Sequence, residues 1–74
     1  MKLSKIGIGE RVKVSELPQS ALRVKLLEMG LVEGRELRLM FKAPFGDPIA
    51  VDINGYMLAL RLDEADLIDV VQLN

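Results

Sequence analysis

Asn54-Gly55 sits between two alternating runs, Ile49-Ala50-Val51-Asp52-Ile53 and Tyr56-Met57-Leu58-Ala59-Leu60. A two-residue hairpin turn needs positive φ at both central positions, and Asn-Gly is the pair best suited to it. Such a turn also sets the register. Ile53 then faces Tyr56, Val51 faces Leu58 and Ile49 faces Leu60. These six side chains share one face, which predicts a core face. A lone hairpin is at best marginally stable in water, so the rest of the chain must cover it.

The remaining text supplies more strands and one short helix. Val12 and Val14 alternate with Arg11 and Lys13, the pattern of a strand with one buried face. Leu17-Pro18-Gln19 interrupts it. Ser20 is a good N-cap, because its hydroxyl can accept from a free amide of the first helical turn. The helix is predicted over Ala21–Met29. Gly30 suits the left-handed position after the helix, and Leu31 then folds back on Leu26 in a Schellman ending. A turn at Gly34 leads into a second strand, with Leu37, Leu39 and Phe41 on one face and Glu36, Arg38, Met40 and Lys42 on the other. The Pro/Gly segment Ala43-Pro44-Phe45-Gly46-Asp47-Pro48 turns the chain toward the hairpin. Asp63-Glu64-Ala65-Asp66 reads as a single helical turn, and Ile68 to Leu73 as the last strand. About five short antiparallel strands and one helix after the first strand predict a mostly β fold, a small barrel closed on itself. With 74 residues and no linker or repeat, the chain is one small domain over 1–74.

Composition excludes several kinds of chemistry. There is no cysteine and no histidine, so disulfides, thiolate nucleophiles and the usual ligands of transition metals are absent. The three serines, Ser4, Ser15 and Ser20, have no histidine to activate them. The reading is therefore not an enzyme, with no catalytic residue, no cofactor and no metal site. Ten basic and eleven acidic residues leave a net charge of −1, and there is one tyrosine and no tryptophan. Nucleic-acid binders usually carry a basic surplus and aromatic stacking platforms, so no nucleic acid is expected. Lys2, Lys5, Arg11 and Lys13 read as ordinary solvated charge. No apolar run approaches the ~20 residues that span a bilayer, and the start lacks the apolar stretch of a signal peptide. The expectation is a cytoplasmic protein with no direct membrane insertion; self-association into a homo-oligomer is left open.

The helix text Leu22-Arg23-x-x-Leu26-Leu27-x-x-Gly30-Leu31-x-x-Gly34, the Ala43–Pro48 turn, and Ala59-Leu60-Arg61 with Glu64-Ala65 and Ile68-Asp69-Val70 resemble the FeoA family, small SH3-like proteins of bacterial ferrous iron transport. The resemblance runs from about Gly9 to about Val71. It implies an SH3-like barrel with the helix inserted between the first two strands. It implies an accessory or regulatory role in ferrous iron uptake, exercised by protein–protein binding to the FeoB-type membrane transporter. It also implies kinship with the C-terminal domain of iron-dependent repressors, so a regulatory module of a repressor system is one alternative and a nucleic-acid-binding barrel another. A family association with transition-metal ions comes with it, against which stand the missing imidazole and thiolate ligands. Glu33 stands where the family often has proline, and Phe45 where it often has a smaller aliphatic residue.

Candidate partner-binding residues are apolar. Leu22, Leu26 and Met29 form one helical stripe, Val24 and Leu27 lie round the other side, and together they span an arc of about 220°, wider than a stripe that only caps a core. One flank is then left for another protein; the spacing alone does not say which. Phe45 at a turn tip and Met57 on the outer face of the hairpin, opposite Asp52, complete the set, with Met40 nearby. Ser20, Gly30, Gly34, Pro44, Gly46, Asp47, Pro48, Asn54 and Gly55 are caps and turns. Arg61 reads as the partner of Asp47 or Asp63 in an ion pair that holds the turn. Asp63, Glu64, Asp66 and Asp69 read as helix-dipole complement rather than a cation site.

Overall fold

The computed structural model describes residues 1–73. Five strands are present, β1 (Arg11–Glu16), β2 (Glu36–Lys42), β3 (Ile49–Ile53), β4 (Tyr56–Leu60) and β5 (Asp69–Gln72). Helix α1 (Ala21–Glu28) lies between β1 and β2, and the one-turn α2 (Leu62–Ala65) between β4 and β5. All pairings are antiparallel, in the order β4-β3-β2-β1-β5.

The hairpin has the register that the Asn-Gly turn dictates. Asn54 has φ 49° and Gly55 φ 95°, and Ile53 pairs with Tyr56, Val51 with Leu58 and Ile49 with Leu60. Ile49, Val51, Ile53 and Leu60 are buried together with Val12, Val14, Leu37, Leu39, Ile68 and Val70. Tyr56 and Leu58 depart from the expected core face: Tyr56 is 48% exposed and Leu58 only partly buried. Each pairs with a buried residue of β3, Ile53 and Val51, but β4 is the edge strand of the sheet and has no strand on its outer side.

Helix α1 begins and ends as its caps require. The Ser20 hydroxyl accepts from the Leu22 amide at 3.3 Å. Gly30 has φ 91°, its amide donates to the Leu27 carbonyl at 3.0 Å, and the Leu31 amide donates to the Leu26 carbonyl at 3.0 Å. That is the Schellman pair of bonds, and it brings Leu26 and Leu31 into the core, both fully buried. Gly30 is needed a second time: a Cβ there would lie 2.6 Å from the Tyr56 hydroxyl oxygen.

Two further expectations are corrected. Phe41 does not share the core face with Leu37 and Leu39. A bulge shifts the β2–β3 register between Leu39 and Phe41, so that Leu39 pairs with Val51 but Phe41 with Ala50, and Phe41 is turned outward. The barrel does not close, because β4 and β5 share no ladder. The second edge of β5 is already taken by the first residues of the chain: the Val70 amide donates to Met1 O at 2.8 Å and the Leu3 amide to Ile68 O at 2.9 Å. Residues 1–6 also add to the core, with Leu3 and Ile6 both buried; their i, i+3 apolar spacing is the one local signal of it.

Candidate partner interface

The helix resolves its over-wide apolar arc in favour of one side. Leu26 is wholly buried, and Leu22 and Met29 are partly buried against the core. Those three are core-facing, so Leu26 is withdrawn from the docking set; the Schellman bonds hold its side inward. Val24 is 61% exposed and Leu27 40%. Charged neighbours frame this flank, with Lys25 Nζ 2.8 Å from Glu64 Oε2 and Arg23 3.8 Å from Glu33.

The Ala43–Pro48 loop is drawn tight by the Gly46 amide on Ala43 O at 2.7 Å and the Ala43 amide on Pro48 O at 3.0 Å. Pro44 starts its single 3-10 turn, and the Asp47–Pro48 peptide is cis. Phe45 at the tip has φ 69° and ψ 8°, and its side chain is fully exposed at 104%. A bulky residue in the left-handed region is uncommon, and this one gains no packing in return. The loop is anchored to α2: Asp47 Oδ1 accepts from the Leu62 amide at 3.0 Å. That corrects the Arg61 expectation. Among the described residues Arg61 forms no ion pair with Asp47 or Asp63. Asp47 instead satisfies one of the free amides at the start of α2, and Glu64 Oε1 takes the Arg61 amide at 3.1 Å.

On the outer face of the sheet the β2–β3–β4 pairings set Phe41, Ala50 and Ala59 in one row and Arg38, Asp52 and Met57 in the next. Met40, Phe41 and Met57 are each about half exposed. Phe41 belongs to this surface only because of the bulge, and alternation along β2 gives no warning of that.

These areas are distinct. The hairpin turn and the Phe45 loop lie at opposite ends of β3, some ~13 Å apart at strand rise. Helix α1 connects the two ends. The Tyr56 hydroxyl donates to the Met29 carbonyl at the hairpin end, while Lys25 reaches Glu64 on α2, the element that anchors the Phe45 loop. The Lys25 ammonium and the Arg61 amide together hold the Glu64 carboxyl below the usual carboxylate range.

Three of the four acidic residues near α2 are engaged separately, and among the described residues Asp63 has no hydrogen-bond or ion-pair partner. Asp69 pairs with Lys2 at 3.0 Å, Asp66 accepts from the Ser4 hydroxyl at 2.7 Å, and Glu64 holds Lys25. Among the described residues no three carboxylates come close enough together to hold a metal ion. No helix among them is long and apolar enough to cross a membrane.

Comparison with known proteins places the chain in a family. The FeoA domain model matches residues 1–72. The Fe(2+) transport protein A/Fe(2+) transporter FeoB fusion protein of Porphyromonas gingivalis is 31% identical over 71 residues, covering 95% of this chain and 8% of that protein; the chain thus spans a small fraction of that relative. Among solved structures, the FeoA-like protein of Clostridium acetobutylicum superposes with a TM-score of 0.92 at 43% identity, covering 100% of this chain and 87% of the other. The zinc complex of Stenotrophomonas maltophilia FeoA, described as an SH3 domain protein, gives 0.75 at 31% identity, covering 96% and 89%. A manganese-dependent transcriptional repressor shares the fold, with a TM-score of 0.90 at 22% identity over 99% of this chain and 36% of its own.

Proposed function

The chain belongs to the FeoA family, whose business is ferrous iron transport, and from that premise we propose that it acts as a cytoplasmic accessory of the FeoB-type transporter by binding it. The observation that carries the reading is the Porphyromonas gingivalis relative, in which a chain like this one and the transporter are one polypeptide. Fusion keeps two partners at high effective concentration, which is useful only where they act on one another. The contact surface we assign is Val24 and Leu27 on α1, with Phe45 as a second anchor and Leu22 and Met29 at the rim. Met57 lies on the other face and is secondary to these.

The mechanism is binding and not catalysis. The chain has no cysteine or histidine to serve as thiolate nucleophile or imidazole base, and among the described residues no three carboxylates gather into a metal-holding group. Isothermal titration with the cytoplasmic region of the transporter tests the proposal. Leu27→Gln should leave the melt nearly intact and weaken binding by ~1–3 kcal/mol, as an interface anchor does. Leu26→Gln should instead destabilise the fold by ~2–5 kcal/mol. Transporter binding unchanged by Leu27→Gln, Val24→Gln and Phe45→Asn alike would remove the helix and loop from the interface.

A further inference from the structure

The two edges of the sheet are treated differently. The free side of β5 is closed by residues 1–3, through the Met1–Val70 and Leu3–Ile68 backbone bonds and the Lys2–Asp69 ion pair. The free side of β4 has no such cover. In a two-residue hairpin the pair flanking the turn is hydrogen-bonded, and such pairs alternate along the ladder. Ile53–Tyr56, Val51–Leu58 and Ile49–Leu60 are therefore the bonded pairs. The N–H and C=O of Met57 and Ala59 must point away from β3. Among the described residues no backbone or side-chain hydrogen bond reaches those groups. Both residues are exposed.

Natural edge strands are normally blunted by lysine, proline or a bulge. β4 has none of these. Tyr56-Met57-Leu58-Ala59-Leu60 is uncharged and proline-free, and its register runs without a shift. We propose that this edge pairs with the same edge of a second copy of this chain, giving a symmetric antiparallel dimer with a continuous sheet. The outward groups are placed symmetrically about Leu58. With the two-fold axis there, Met57 of one copy meets Ala59 of the other, and each such pair exchanges both backbone bonds. Leu58 faces its own copy, and Tyr56 faces Leu60. No like charges come opposite one another, since the strand carries none. The apolar row Phe41–Ala50–Ala59 on the outer face would run on into Met57 of the second copy.

The test is the oligomeric state of the full chain by sedimentation from micromolar to near-millimolar concentration, with thermal melts alongside. Ala59→Pro deletes an outward amide and leaves the ladder to β3 intact, since edge positions tolerate proline when the N–H faces away. Met57→Lys restores the missing edge charge. The wild type should dimerise reversibly, and each variant should weaken the dimer by ~10-fold or more with its melt retained. Amide exchange on the wild type gives an arm without mutation: Met57 and Ala59 should gain protection as concentration rises. A wild type monomeric throughout, or variants that dimerise as well as it does, would overturn the proposal. So would a monomeric wild type whose Met57 and Ala59 amides are protected only when the transporter's cytoplasmic region is added, because the edge then belongs to that partner.

Discussion

The two turns that flank β3 follow opposite logic. At Asn54-Gly55 every local preference agrees with the fold: both residues tolerate the positive φ they adopt, and Asp52 Oδ1 accepts the Gly55 amide at 3.0 Å. At Ala43–Pro48 the tip residue fits neither its backbone nor its surroundings. Phe45 takes a left-handed conformation that costs a non-glycine residue ~1–2 kcal/mol, and holds its ring wholly in water. Gly46, next along, adopts φ 83° without that penalty. Local rules broken with no visible structural gain tend to cluster at functional sites. One turn makes the fold; the other displays a side chain the fold does not use.

Four measurements bear on that contrast, from the largest expected effect down. Val51→Asp, midway between the turns and fully buried, places an unpaired charge in the core at a cost of several kcal/mol. Loss of the cooperative melt is expected. Leu58→Asp on the partner strand should do less damage, because that side chain is only partly buried.

Gly55→Val should cost ~1–3 kcal/mol, since a β-branched residue is forced to φ 95°. Chemical denaturation reads it directly. An unchanged midpoint would mean that the hairpin is not held by its turn.

Phe45→Asn is the sharpest of the four. Asn accepts the left-handed region readily, so the protein should be as stable as before or gain up to ~1 kcal/mol, while transporter binding falls. A lowered melting temperature would show that Phe45 supports the fold, and the contrast between the turns would disappear.

The smallest effect concerns the tie between α1 and α2. Glu64 has a depressed folded-state pKa, so its stabilising contribution is complete above the unfolded carboxyl range near ~4.3 and is lost as pH falls through the lower folded value. The stability difference between wild type and Lys25→Met should therefore shrink on acidification below about pH 4. A difference that stays constant with pH would show that Lys25 acts through packing alone.

Legibility in the sequence followed the range of the interactions. The hairpin register and the helix ending are set by residues a few positions apart, Asn54-Gly55 and Leu26 to Leu31, and both could be read from the text. The bulge at Met40 and Phe41 could not, because alternation along β2 continues unbroken while the ladder to β3 slips by one. Nor could the open sheet, since what fills the edge of β5 comes from residues 1–3 at the far end of the chain. The over-wide apolar arc of α1 signalled that a flank would be left over. Which flank depended on the depth at which Leu26 docks, a tertiary matter. Asp47 bonding the Leu62 amide, where an Arg61 ion pair was expected, is a choice between two partners for one carboxylate. Only geometry makes it.

The contact between Tyr56 and Met29 has a practical consequence. This is the single tyrosine of a chain without tryptophan, and its phenol is bonded to the carbonyl at the end of α1. Ultraviolet emission from the protein therefore originates at the seam between helix and hairpin. Any event that lifts the helix from β4, or lays another surface beside it, alters that emission without a label being attached. The same residue stands at one end of the bare strand edge, so one optical signal watches the end of the helix and the β4 edge at once.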